Sequence, residues 1–251
     1  MMLRWKQPVC LFLILIIALL VPAIAMARQA APNTLTEKEK KEGWTLLFDG
    51  KSMKGWRGAY MDSLPKKGWE VKDGMLIVRE SGGGEASFGG DIVTLNEYSS
   101  FELTVDFKLT EGANSGIKYF VIEQQPKTPG SAKGLEYQVL DDAKHPDAKL
   151  GINGNRTLAS LYDIMPAKNK KVKPIGEWNR ARILVKGKHV EHWLNGAKVL
   201  EFERGGKDFL AHKAESKFKD IPEFGEYKKG RILLQDHGNQ VFYRNIKIRV
   251  F

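Results

Sequence analysis

The clearest pattern in the chain is strict alternation. In Phe101–Leu109, FELTVDFKL, the residues Phe101, Leu103, Val105, Phe107 and Leu109 are apolar and those between them are polar. Side chains of a strand repeat every two residues, so this segment predicts a strand with one face in a core. Trp44–Phe48, Trp69–Val71, Met75–Val78, Ile117–Ile122, Trp178–Val185, His189–Leu194, Lys198–Phe202, Arg231–Asp236 and Val241–Val250 read as further strands. Asp73-Gly74 and Asn195-Gly196 predict tight hairpins, and Asn114-Ser115-Gly116 predicts a turn. The glycine-rich stretch Gly82–Gly90 predicts a mobile loop. Helical signals are few. Thr36-Glu37-Lys38-Glu39 has the form of a capping box, and Asp208–Lys219 carries a helical turn or two. About ten to twelve short strands with hardly any helix predict an all-β domain, a sandwich of two antiparallel sheets.

The N-terminus departs from this pattern. Arg4 and Lys6 precede the apolar run Cys10–Leu20, and Ala25-Met26-Ala27 supplies a small-x-small cleavage site. Residues 1–27 therefore read as a signal peptide, with an uncleaved membrane anchor as the alternative. Residues 28–42 read as a leader with a short helix, and 43–251 as one domain. The protein is expected in the periplasm or outside the cell, with no stable membrane insertion after cleavage. Cys10 is the only cysteine and lies in the apolar run, so the mature chain has no disulfide and no thiol chemistry. The formal charge of +10 changes little. Apart from Lys168, Lys170, Lys171 and Lys173 the basic residues are scattered, which reads as a solvated surface, and no nucleic-acid partner is expected.

The chemistry gathers around Gly134–Asp147, GLEYQVLDDAKHPD. Its first half alternates, placing Glu136, Gln138 and Leu140 on one strand face. Its second half collects Asp141, Asp142, His145 and Asp147, groups that can bind a metal, move protons or simply shape a turn. No serine-hydrolase elbow, zinc-protease helix, phosphate-binding loop or dinucleotide fingerprint occurs. A two-acid glycosidase is poorly supported, because Gln138 stands where a second acid on the face of Glu136 would be needed. Gln235-Asp236-His237 is a second candidate group at a strand end, and His192-Trp193 a weaker one. Trp56, Tyr119, Tyr162, Trp178 and Trp193 could pack on sugar rings or in the core. Asn114, Asn155, Arg156 and Asn179 could bind hydroxyls.

Five segments stand in a familiar order: GWTLLFDGKSMKGW at 43–56, FELTVDFKLTEGANSGI at 101–117, LEYQVLDDAKHPD at 135–147, EWNRARILVKGKHVEHWLNG at 177–196 and GRILLQDHGNQVFYRNIKIRV at 230–250. On these the chain resembles the 3-keto-disaccharide hydrolase family, whose domains are also described as 3-keto-glucoside lyases and hydratases. The resemblance implies a concanavalin A-like jelly-roll sandwich. It also implies elimination and hydration of a 3-keto-glycoside, with a divalent metal of unspecified identity or another donor on the enolate oxygens. Placed on this sequence, Glu136 and His237 are the expected base and acid, or metal ligands. Asp141, Asp142 and His145 are second-rank metal ligands. Gln138, Asn114, Lys118, Tyr162, Trp178 and Asn179 are expected to orient the sugar. A glycan-binding module without turnover is the alternative.

Overall fold

The computed structural model describes residues 31–85, 88–124 and 132–251, together with Met2. The expected signal segment lies outside the described residues. Among those described, no helix is long and apolar enough to cross a membrane. The capping box forms as read: Thr36 and Glu39 cap a one-turn helix α1, Glu37–Lys41.

Thirteen strands are described: β1 (Trp44–Leu46), β2 (Trp56–Gly58), β3 (Trp69–Lys72), β4 (Met75–Val78), β5 (Ile92–Thr94), β6 (Phe101–Leu109), β7 (Asn114–Ile122), β8 (Lys133–Leu140), β9 (Asn179–Lys186), β10 (His189–Leu194), β11 (Ala197–Glu203), β12 (Arg231–Leu234) and β13 (Val241–Val250). A helix α2 (Lys207–Glu215) follows β11, and a 3-10 turn covers Pro146–Lys149. All ladders are antiparallel and fall into two sheets. The larger runs β11-β10-β9-β6-β13-β4-β3, with β1 also on β13; the smaller runs β2-β5-β12-β7-β8. This is the two-sheet sandwich that the alternation predicts.

The turn chemistry explains the hairpins. Asp73 and Gly74 have φ of 50° and 72°, and Asn195 and Gly196 have φ of 50° and 84°. Two successive residues with positive φ match the twist of a two-residue hairpin, which is why Asp-Gly and Asn-Gly occupy them. The core lies between the sheets. Phe101, Leu103, Val105 and Phe107 of β6 are at most 1% exposed. They share one cluster with Ile117 and Tyr119 of β7, Leu135, Tyr137 and Val139 of β8, and Ile232 and Leu234 of β12.

One expectation fails. Asn114-Ser115-Gly116 is the start of β7, not a turn. Ser115 is fully buried and donates to Gln235 O at 2.7 Å, and Gly116 pairs with Gln138 across the ladder. The glycine serves the close approach of a side chain, described below, which turn statistics cannot anticipate.

Candidate active site

Because Leu135, Tyr137 and Val139 enter the core, Glu136 and Gln138 must stand on the outer face of the small sheet. Lys118 is paired with Glu136, and Gly116 with Gln138, so these residues share that face. The adjoining strand β12 leads to Gln235, whose N–H donates to Gly116 O at 3.0 Å. Over this face lies a cleft walled by Asn114, Lys118, Glu136, Gln138, Gln235 and His237. Its rim adds Glu85 from the glycine-rich loop, Lys133, Tyr162, Lys217 and Phe218.

Gly116 makes room for the acid. A Cβ at this position would stand 2.1 Å from Glu136 Oε1 and 2.8 Å from its carboxyl carbon. Any other residue would push the carboxyl out of place.

Glu136 is 6% exposed. Burial disfavours its charged form and, although Lys118 and Lys217 pull the other way, its pKa is pushed up to about 7. Lys118, 5% exposed, lies 3.8 Å from Glu136 Oε2 and 3.6 Å from Glu85 Oε1. Burial works against the lysine's charge, but Glu136, Asp91 and Glu85 outweigh it and hold its pKa above the usual value. Glu85 moves in the opposite direction from Glu136. Burial would raise its pKa, but Lys118, Lys217 and His237 win and keep it below the usual range. The Lys217 ammonium rides 4.2 Å from the Tyr162 ring centre, and burial lowers its pKa against the pull of Glu136 and Glu85.

Three polar atoms along the cleft are buried without a hydrogen-bond partner among the described residues: Asn114 Oδ1, Gln235 Oε1 and His237 Nδ1. Buried polar groups are normally paired, so an unpaired set in one cleft points to a ligand that pairs them. Beneath them Asp236, fully buried, acts as a clamp. Its carboxylate accepts from the N–H groups of Gly89, Gly90 and Gly238. The glycine-rich loop carrying Glu85 and the turn carrying His237 are thereby tied to the same strand end. Asn239 Oδ1 accepts from Asn114 N–H at 3.2 Å and joins a third element to the set.

His145 reaches the same region, with its ring centre 5.6 Å from that of His237. Its Nδ1 accepts from Asp147 N–H at 3.2 Å. Its pKa is lowered by burial and by His237, so the neutral form is favoured. The paired imidazoles of His145 and His237 are the donor type that suits a borderline divalent ion. Asp141 and Asp142 do not join them. The Asp141 carboxylate accepts from Gly112 and Ala143 N–H groups, and that of Asp142 from Leu158 N–H and Lys170. Both are spent on loop structure. Elsewhere, on the outer face of the large sheet, ligand atoms of His189, Glu191 and Glu201 gather within 4.8 Å, a group able to hold a metal ion. There Lys198 already pairs with both glutamates.

Asn179 opens β9 in the other sheet, and Trp178 immediately precedes it. Trp178 is covered by the Arg244 guanidinium, 4.0 Å from its ring centre, and Asn179 Oδ1 accepts from Lys173 N–H and Asn195 Nδ2–H. Trp56 and Tyr119 are core residues, and Arg182 covers Trp193. Arg156 is held by Asp147 and Asp163. His192 is fully buried, between the Tyr119 hydroxyl at 2.8 Å and Ala159 O at 2.9 Å. Sequence reasoning missed Glu85 and Lys217 as site residues. The lone acid in a glycine-rich loop was a usable signal for Glu85; nothing local marked Lys217.

Comparison with known proteins identifies relatives of the whole domain. Residues 43–249 match the family model of the 3-keto-alpha-glucoside-1,2-lyase-like domain. A protein of Bacteroides thetaiotaomicron named 3-keto-disaccharide hydrolase is 40% identical over 229 residues, covering 83% of this chain and 79% of that protein. Two crystal structures from Parabacteroides distasonis, each described as a candidate glycosyl hydrolase, are similar. One has a TM-score of 0.77 at 35% identity, covering 88% of this chain and all of that one. The other has a TM-score of 0.60 at 29% identity, covering 83% and 99%. The chain therefore belongs to the 3-keto-alpha-glucoside-1,2-lyase-like family.

Proposed function

We propose that this protein is an enzyme that cleaves 3-keto-glycosides by elimination followed by hydration, a net hydrolysis. The observation that carries this reading is Glu136, a buried carboxyl with a pKa of about 7, beside the Lys118 ammonium in a cleft of unpaired polar groups. A ketone at C3 acidifies the proton on C2. Glu136 removes that proton, the C1–C2 double bond forms, and the bond from C1 to the departing oxygen breaks. The Glu136 carboxyl then passes its proton to the departing oxygen. Hydration runs the same relay in reverse, with water replacing the aglycone. A group titrating near the working pH can both accept and return a proton, which suits Glu136 to both halves.

Negative charge builds on the oxygens of the enolate. Lys118 and Lys217 face that charge, and preorganised cations in a water-poor cleft are effective stabilisers. Gln138, Asn114, Gln235 and Tyr162 hold the hydroxyls. His237 and His145 would hold a divalent ion, which when bound supplies Lewis-acid polarisation of the keto oxygen. Export rests on the signal-peptide pattern of the first residues.

Incubating the purified protein with a 3-keto-glucoside, with and without chelator, tests the reading. Enone or free 3-keto-sugar is expected, with less product after chelation. No product in either sample overturns it, and a glycan-binding role then takes its place. Equal product in both removes the metal alone.

A further inference from the structure

The reaction proposed above gives Glu85 no task. Glu85 reaches the cleft from the glycine-rich loop between β4 and β5. Its Oε1 accepts from Gln235 Nε2–H at 3.3 Å and lies 3.6 Å from Lys118 Nζ. A side-chain amide has a donor end and an acceptor end. With the donor end of Gln235 on a carboxylate, its oxygen must face elsewhere. That oxygen is buried without a partner among the described residues, as are Asn114 Oδ1 and His237 Nδ1. Two of the three unpaired atoms, Asn114 Oδ1 and Gln235 Oε1, are amide oxygens that can only accept, so the wall beside Glu136 presents acceptors. A buried acceptor left unmatched is costly, and a ligand that brings donors removes the cost.

We propose that Glu85 is a positioning residue that sets this polarity: by holding the donor end of Gln235 and sharing the charge of Lys118, it leaves acceptors facing the ligand. The site then selects a ring that presents free hydroxyl donors beside its ketone. This rests on the reaction proposed above, but Glu85's hold on Gln235 does not.

The decisive comparison is wild type, Glu85→Gln and Glu85→Asp. Glutamine at 85 can itself donate, so Gln235 is free to turn over. The Glu85 side chain is 42% exposed, so both variants should fold. In Glu85→Gln, KM for a 3-keto-glucoside should rise about tenfold while kcat changes less than about threefold, the mark of lost binding rather than lost chemistry. The side-chain amide signal of Gln235 in heteronuclear NMR should move, and Glu85→Asp should restore both in large part. An unchanged Gln235 signal in Glu85→Gln overturns the proposal whatever the kinetics, as does a wild-type KM. Wild-type protein that turns over no 3-keto-glycoside defeats the reaction reading only; the NMR comparison still decides whether Glu85 holds Gln235.

Discussion

The outer faces of the two sheets carry buried carboxylates treated in opposite ways. On the large sheet, Glu102 and Asp106 are 6% and 5% exposed; on the small sheet, Glu136 is 6% exposed. Glu102 receives Arg182 and Arg249, each at 2.5 Å. Asp106 receives Arg180 and the Asn245 amide, each at 2.6 Å, with Arg244 at 3.7 Å. Glu136 has a lysine at 3.8 Å. Equal burial therefore does not mean equal chemistry. Arginines occupy both oxygens of such a carboxylate with charge-assisted hydrogen bonds and close the surface around it. A distant ammonium offsets only part of the cost of burial, and leaves a carboxyl that can change its charge.

The largest expected break in this contrast is Glu136→Gln. It should lower kcat/KM by about a thousandfold, within the usual range for loss of a general acid–base group. Thermal stability should change little, because Lys118 loses Glu136 at 3.8 Å but keeps Glu85 at 3.6 Å as its ion-pair partner. An active Glu136→Gln variant would move the chemistry elsewhere. Next comes Gly116→Ala, whose new methyl would occupy the place of Glu136 Oε1. Activity should fall on the order of a hundredfold, as misplacement of a reacting group by about 1 Å can do. Wild-type activity would show that the carboxyl relocates freely.

Glu102→Gln should do the reverse. It leaves Arg182 and Arg249 partly unmatched and should cost about 1–3 kcal/mol in chemical denaturation, since both arginines keep some contact with water. Activity per folded molecule should not change.

The smallest effects are those of pH. Glu136 must be ionised to take a proton, so kcat/KM should fall as pH drops below about 7. Loss of that limb in an active Glu136 variant, and its persistence in Glu102→Gln, would sharpen the comparison. A second titration acts on stability. Burial pushes the His192 pKa down to about 4 in the folded state, below its value in the unfolded chain. The unfolded chain then binds the extra proton, so this histidine's contribution is present above about pH 6.5 and is lost as pH falls toward 4. Glu136 has the opposite sign: its raised pKa favours folding at low pH and loses that contribution as pH rises through 7. Melting curves of wild type and His192→Gln between pH 4 and 7 should separate the two, with the variant less sensitive to acid.

Much of the fold was legible along the chain. The alternation in β6, the two hairpins with paired positive φ and the helix cap all form where local rules put them. The site was legible in part. Glu136, Gln138, Asn114, Lys118, Tyr162 and His237 meet in one cleft, while Asn179 lies on the other sheet and Trp178 just before its strand. Asp141 and Asp142 follow Glu136 closely in sequence but serve the loop. Period-two patterning tells which side of its own strand a residue occupies, but not which sheet that strand joins.

The sequence alone settled which residues of β6 point inward and where the Asp73-Gly74 and Asn195-Gly196 hairpins turn, because these depend on neighbours a few positions apart. The tertiary structure decided which equally buried carboxylate would stay reactive. That depends on what lies across the ladder and above the sheet: two arginines at Glu102, and a glycine, a lysine and a loop from far along the chain at Glu136. The free energy of a buried charge is set by those partners, and they become neighbours only when the strands assemble.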